Sequence, residues 1–274
     1  MQIITTVVEL QSALAKHRSI GLVPTMGNLH DGHLSLVQAA RHHAGKVVAS
    51  IFVNQLQFAP SEDFEKYPRT LEHDCQLLAK AGCDIVFAPT SEEMYPEPQQ
   101  YKVQAPAELA DILEGRSRPG FFVGVGTVVL KLFNIVRPHV AVFGKKDYQQ
   151  LLVIKNMVRQ FALPIEIVAG ETVREPAGLA LSSRNGYLGA HQRLEAVQLY
   201  RTLCDAAAEL KSGKSSREEI ERTAAESLRA RGWQPDYVAI RRRKDLGIPG
   251  AQDQLVILGA ARLGHTRLID NIEI

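Results

Sequence analysis

The residues best suited to chemistry lie in one stretch, Pro24-Thr25-Met26-Gly27-Asn28-Leu29-His30-Asp31-Gly32-His33. His30 and His33 are three apart, a spacing that puts both imidazoles on the same side of one helical turn. Imidazole N–H groups there could hold phosphate oxygens as charge moves in a transition state. Gly27 and Gly32 let the backbone turn tightly and approach a ligand closely. A helix starting near Gly32 would also aim its free N–H groups at a phosphate. A lone His is most often an ordinary surface or core residue, but two flanking a Gly at a strand-to-helix turn read as a site. A zinc centre fits poorly, because there is no H-E-x-x-H and no obvious spacing for a third ligand.

Three further segments offer binding chemistry. Phe52 to Phe58 (FVNQLQF) carries amides, which both donate to and accept from hydroxyls and carboxylates. Gly144-Lys145-Lys146-Asp147-Tyr148-Gln149-Gln150 follows an apolar strand. Its lysines could neutralise phosphate and Asp147 could accept from a ribose hydroxyl. Leu181-Ser182-Ser183-Arg184-Asn185 gathers two hydroxyls and a guanidinium into a compact anion-binding loop. Taken alone, the amide and Ser-Ser-Arg segments read equally well as ordinary loop, and lysines beside a helix start are more often simply solvated. Together with the histidines they suggest a polyphosphate held between a parallel-sheet domain and a smaller one. Walker A and G-x-G-x-x-G signatures are absent, so phosphate would be cradled by another route.

The elements that must position these residues follow from periodicity. Strands are expected at Ile20–Val23 (ended by Pro24), Lys46–Val53, Asp84–Phe87, His139–Phe143 and Ile165–Val168. Helices are expected at His33–His43 (Leu34, Val37 and Arg41 on one face), Thr70–Ala81, Gly126–Val136 and Tyr148–Phe161. Thr70 reads as an N-cap, with Glu72 and Asp74 complementing the dipole of the first turn. Alternating strands and helices imply a parallel sheet covered on both faces. After about Thr172 the pattern changes to helices near Ala190–Leu210 and Ser216–Arg231, then strands at Tyr237–Arg241, Gln254–Ala260 and Thr266–Ile272. That reads as an antiparallel α+β unit and sets a boundary near Val173, giving domains 1–172 and 173–274.

Composition narrows the class. The chain has 274 residues, with 32 Lys plus Arg against 30 Asp plus Glu, a formal charge of +2. Nucleic-acid binders usually carry a basic excess, so only Arg241-Arg242-Arg243-Lys244 hints at one, and that run reads as a solvated strand end. Cys75, Cys83 and Cys204 form no metal spacing and read as reduced, mostly buried thiols. The N-terminal residues make a poor signal peptide, and no apolar stretch reaches the ~18 residues of a membrane span. A cytoplasmic setting is expected.

At this point the chain resembles the pantothenate synthetase (pantoate–β-alanine ligase) family. PTMGNLHDGHLSLV is similar to that family's nucleotide-binding signature, a variant of the HxGH motif of adenylyl-transferring enzymes. FVNQLQF, GKKDYQQ, TVREPAGLALSSRNGYL and ARLGHTRLIDNI follow in the family's order, so the resemblance covers nearly the whole chain. It implies an α/β fold, a Rossmann-like parallel-sheet domain with a smaller C-terminal α+β domain acting as a lid.

The resemblance also implies a two-step reaction, in which ATP activates pantoate as pantoyl adenylate and β-alanine then displaces AMP. His33 would take the proton-donor role and His30 would help bind phosphates, with Lys146 and Arg184 completing the catalytic set. Met26 and the turn through Gly27, Asn28, Leu29, His30, Asp31, Gly32 and His33 would hold ATP. So would Gly144, Lys145, Lys146, Asp147, Val173, Leu181, Ser182, Ser183 and Arg184. Gln57 and Gln150 would grip pantoate, with Gln57 also near β-alanine. Mg²⁺ is expected with ATP, its protein ligands unassigned. The implied partners are these small molecules and a second copy in a homodimer, with neither nucleic acid nor membrane. Three positions depart from the family pattern. Gln55 stands where Pro is usual, Phe121 where His is common and Lys145 where Glu is usual.

Overall fold

The computed structural model describes residues 1–59 and 64–274. The elements run β1 (Gln2–Ile4), α1 (Val7–Leu14), β2 (Ile20–Thr25), α2 (Asp31–His43), β3 (Lys46–Ile51), α3 (Leu71–Lys80), β4 (Ile85–Phe87), α4 (Ser91–Met94), α5 (Ala107–Ala110), α6 (Leu113–Ser117), α7 (Phe121–Val136), β5 (Val140–Gly144), α8 (Tyr148–Gln160), β6 (Glu166–Gly170), α9 (Ala190–Ser212), α10 (Arg217–Ala230), β7 (Gln234–Arg242), β8 (Leu255–Leu263) and β9 (Thr266–Glu273). They fall into two compact units, one of residues 1–106, 118–145 and 153–171, the other of residues 107–117, 146–152 and 172–274.

The first unit is built on a parallel sheet in the order β1-β4-β3-β2-β5-β6. Strand order reverses between β2 and β5, and in such sheets ligands bind outside the carboxyl ends of the strands at that reversal. The turn after Thr25 and the turn after Gly144 leave the sheet there. The strands are apolar because helices cover them. Val23, Val47, Ala49, Val86 and Val142 pack with Leu36, Val37 and Ala40 of α2 and with Cys75 and Leu78 of α3. Gly170 leaves room for Leu36, whose Cδ2 would lie 2.2 Å from a Cβ at that position.

The second unit carries the antiparallel sheet β7-β8-β9. Leu199 and Leu203 of α9 and Ile220 and Leu228 of α10 pack on Ile240, Ile257 and Ala261, with Trp233 in the same core. Within this unit Glu114 ties α6 to the sheet. Its carboxylate accepts both Arg267 terminal nitrogens, at 2.8 and 2.6 Å, and the Tyr237 hydroxyl at 2.7 Å.

Several expected limits shift for physical reasons. Pro24 lies inside β2 rather than ending it. The pairing with β5 covers Gly21 and Leu22, so beyond Leu22 the strand has no ladder partner on that side and tolerates a missing N–H. The buried face of α2 is Leu36, Val37 and Ala40. Arg41 is exposed and donates to the Gly82 carbonyl and to Asp84. Helix α7 starts at Phe121, five residues before the expected Gly126. The first turns hold Gly124 and Gly126, poor helix formers retained because of what they touch. A Cβ at Gly124 would lie 2.1 Å from the Leu56 carbonyl oxygen, and one at Gly126 would lie 3.1 Å from the Val103 side chain. The periodicity reading also passed over β1 and α1. Thr6 caps α1 by accepting from Glu9 N, and its hydroxyl donates back to the Glu9 carboxylate.

The basic run is not a free cationic patch. Arg241 pairs with Glu221, Arg242 with Asp245 and Arg243 with Glu273. Among the described residues no helix is long and apolar enough to cross a membrane.

Candidate active site

The turn from Met26 to His33 is held from beneath by a carboxylate. Asp74, fully buried, accepts from Asn28 N at 2.9 Å, Leu29 N at 2.8 Å and the Thr70 hydroxyl at 3.0 Å. A buried carboxylate is costly unless donors surround it, and two backbone N–H groups and a hydroxyl supply them. Gly27 and Asn28 have φ of +83° and +50°, in the left-handed region that Gly enters at no steric cost and Asn tolerates. Thr25 completes the turn, donating to Ser50 O and accepting from Gly27 N.

His30 is the N-cap of α2, and an imidazole does the work usually done by Ser or Asp. His30 Nδ1 accepts from Gly32 N at 3.2 Å, and His33 Nδ1 accepts from His30 N at 3.3 Å. Each Nδ1 is thereby engaged by a backbone N–H of the same turn. The ring centroids lie 4.1 Å apart. The backbone N–H groups of Gly27, Gly32 and His33 are engaged locally, and those of Asn28 and Leu29 by Asp74.

Gln57 sits beside this turn, its Nε2 donating to Met26 Sδ at 2.9 Å. Asn54 fixes it. Asn54 is 1% exposed, and its Nδ2 donates to Gln57 Oε1 at 3.2 Å and to Gly124 O at 3.2 Å. Its Oδ1 accepts from Leu56 N and from the Tyr95 hydroxyl, at 3.3 and 2.8 Å. Burial raises the Tyr95 pKa far above the ordinary phenol value, so it stays a donor at any physiological pH.

After β5, Gly144 and Lys145 stay with the first unit, and Lys145 pairs with Glu171 at 2.5 Å.

The second unit carries Lys146, Asp147 and Gln150, all half-buried. Lys146 O accepts from Asn271 Nδ2 at 2.9 Å, which anchors the turn to β9. Gln149, next to Gln150, is buried and donates to Leu109 O and Ile112 O while accepting from Glu114 N. Val173 and Leu181 come together as a backbone pair, Leu181 N donating to Val173 O at 3.0 Å. Between them Arg174 grips Asp270 with both terminal nitrogens, at 2.6 and 2.8 Å. Ser182 caps a short 3₁₀ turn, its hydroxyl accepting from Arg184 N at 3.3 Å, and Asn185 Nδ2 donates to Ala180 O. Ser182, Ser183 and Arg184 are thereby ordered on one turn.

The sequence pattern of the family described as Pantoate-beta-alanine ligase matches residues 2–273. The chain belongs to the pantoate–β-alanine ligase family. A pantothenate synthetase from Leptothrix cholodnii is 60% identical over 285 aligned residues, covering all of both chains. The crystal structure of pantothenate synthetase from Thermus thermophilus superposes with a TM-score of 0.93 at 48% identity, over 100% of this chain and 99% of that one. A pantoate-beta-alanine ligase from Francisella tularensis, solved with beta-gamma ATP and beta-alanine, matches at TM-score 0.81 and 33% identity, over 100% and 97% of the two chains. The chain is therefore a ligase with this family's α/β architecture.

Within this ligase fold, sequence reasoning missed Asp74 and undervalued Asn54. Asp74 read as a charge in the first turn of α3, although its neighbours Cys75 and Leu78 are apolar and buried. A carboxylate on a buried helix face demands donors from elsewhere, and that signal was available. Asn54 gave no periodic signal; only the packing of α7 on residues 55–57 makes it central.

Proposed function

We propose that this ligase joins the carboxylate of pantoate to the amine of β-alanine at the expense of ATP, through a pantoyl adenylate. One pantoate carboxylate oxygen attacks the α-phosphorus, the bond to the β-phosphate oxygen breaks and pyrophosphate leaves. The β-alanine nitrogen then attacks the acyl carbon, loses a proton, and AMP departs with the oxygen that pantoate brought. A free carboxylate is a poor acyl donor, and the AMP leaving group overcomes that.

The observation that carries this reading is the His30–His33 pair, two imidazoles 4.1 Å apart at the N-terminus of α2, each with its Nδ1 accepting a backbone N–H. Imidazole N–H groups suit the negative charge that grows on a departing pyrophosphate. His33 serves as the proton donor and His30 as a phosphate ligand. Met26 through His33, Gly144 through Asp147, Val173 and Leu181 through Arg184 contribute to ATP binding, with Lys146 and Arg184 offsetting phosphate charge. Gln57 and Gln150 hold pantoate by its hydroxyl and carboxylate groups.

Mg²⁺ enters this scheme as part of the MgATP substrate. Among the described residues no three His, Cys, Asp or Glu side chains gather to hold a metal ion, so no protein ligand is assigned and no step is routed through it. A homodimer in the cytosol is the proposed working form; the free thiols of Cys75, Cys83 and Cys204 are in keeping with a reducing compartment.

The test is an assay of product release. ATP with pantoate and β-alanine should yield AMP and pyrophosphate in equal amounts. His33→Ala should slow turnover by about 10² or more. Formation of ADP and phosphate, or a fully active His33→Ala, would refute the reading.

A further inference from the structure

Strand β9 carries two polar residues side by side that no step of the reaction uses. Asp270 is 5% exposed and Asn271 6%. Neighbours on a strand point to opposite faces, so the two side chains reach different parts of the second unit. Buried polar groups are costly unless paired. Each of these is paired with a segment proposed to bind ATP.

On one face Asp270 holds Arg174. Its Oδ2 accepts from Arg174 Nη1 at 2.6 Å and its Oδ1 from Arg174 Nη2 at 2.8 Å, while Asn271 N also donates to Oδ1. The guanidinium lies over the Tyr200 ring, 3.8 Å from its centroid, and donates to Gly178 O at 3.1 Å. Gly178, with φ of +106°, lets the chain turn against that ring, where a Cβ would lie 2.8 Å from Tyr200 Cδ1. The turn from Val173 to Leu181 is thereby clamped to β9 through one residue. The bond from Asn185 Nδ2 to Ala180 O carries that clamp on to the Ser182–Arg184 turn.

On the other face Asn271 Nδ2 donates to Lys146 O at 2.9 Å. That carbonyl lies in the plane of the peptide joining Lys146 to Asp147, so the bond fixes the plane from which both side chains leave. Glu273, two residues further and on the same face, accepts from the Tyr148 hydroxyl at 2.9 Å. Gln149 holds the next part of this segment by three bonds of its own, to Leu109, Ile112 and Glu114.

A buried ion pair contributes little net stability compared with apolar residues of similar volume. A bidentate pair, however, fixes an angle as well as a distance. Orientation is what β9 supplies. We propose, resting on the ATP sites assigned to this chain, that Asp270 and Asn271 are positioning residues that align two nucleotide segments on one strand. Asp270, through Arg174, sets Val173 and Leu181 to Arg184. Asn271, through the Lys146 carbonyl, sets Lys146 and Asp147. Gln150 is fixed separately through Gln149, so the effect falls on ATP and not on pantoate.

The experiment measures the ATP dissociation constant by calorimetry, and the Michaelis constants for ATP and pantoate, in Asp270→Asn, Asn271→Leu and Arg174→Lys. Asp270→Asn removes a negative charge, which by itself would favour a polyphosphate, so weaker binding reads orientation rather than charge. It should raise both ATP constants at least tenfold, and Asn271→Leu about fivefold, while the pantoate constant moves less than twofold. Arg174→Lys keeps the charge but loses the fork. It should weaken ATP binding as much as Asp270→Asn does, and it keeps the test open should Asp270→Asn not fold. ATP and pantoate constants that move together, as a general loosening of the fold would cause, overturn the proposal. Failure of the unaltered protein to bind ATP would sink the nucleotide assignment itself. Tight ATP binding that survives all three changes sinks only the positioning role.

Discussion

Asn54 Nδ2 donates to Gln57 Oε1 over 3.2 Å, and that bond decides which end of the Gln57 amide faces Met26. The Gly124 carbonyl and the Tyr95 hydroxyl hold Asn54 in turn. Asn54→Asp replaces the donor with a repelling oxygen and favours a flipped Gln57. The expected outcome is a rise of about tenfold in the Michaelis constant for pantoate with a smaller change for ATP, and a stability loss of about 1–3 kcal/mol. Steady-state kinetics with each substrate varied in turn checks this, and equal shifts would count against it.

Asp74 holds the turn proposed to bind nucleotide through the N–H groups of Asn28 and Leu29, and it also accepts from the Thr70 hydroxyl. Asp74→Ala leaves these groups in a buried site without an acceptor. It should lower kcat/KM for ATP by ~10² and the unfolding free energy by roughly 3 kcal/mol. Asp74→Asn keeps one acceptor oxygen and should fall in between. Kinetics paired with urea melts would reveal the order; a harmless Asp74→Ala would dismiss the role.

At Gly124 two effects oppose each other. Alanine improves helix propensity by about 1 kcal/mol. Its Cβ, however, would meet the Leu56 carbonyl oxygen at 2.1 Å, backbone that no rotamer change can move. Overpacking costs about 1–3 kcal/mol, so the clash wins. Gly124→Ala should melt several degrees lower and bind pantoate more weakly. A higher melting temperature would show that the 55–57 turn is not seated on α7 as described.

Burial pushes the Cys83 thiol from 9.0 up to about 11. Between those values the unfolded chain has lost this proton and the native one keeps it. Stability is therefore undiminished below pH 9 and falls as pH rises toward 11, by roughly 2–3 kcal/mol from this group. Urea midpoints across that range should fall less steeply in Cys83→Ala. The same slope in both proteins would contradict it.

Much of the framework was legible because periodic signals arise from burial. The parallel-sheet strands β2 to β6 are short apolar runs, and the antiparallel trio follows the two long C-terminal helices. The imidazole pair was legible because two rings flanking Gly32 at a crossover have few structural reasons to be there. What sequence hid was long-range. Asp74 meets Asn28 across 46 residues, and Asn54 meets Gly124 across 70. Gly124 itself reads as a helix breaker until the Leu56 carbonyl is seen against it. Tertiary contact, not local preference, sets the start of α7.

The most direct test of the account follows an atom. Pantoate carrying ¹⁸O in its carboxylate is turned over with ATP and β-alanine, and the products are weighed by mass spectrometry. Attack of the carboxylate on the α-phosphorus predicts one ¹⁸O in AMP and none in pyrophosphate. Unlabelled AMP would contradict it.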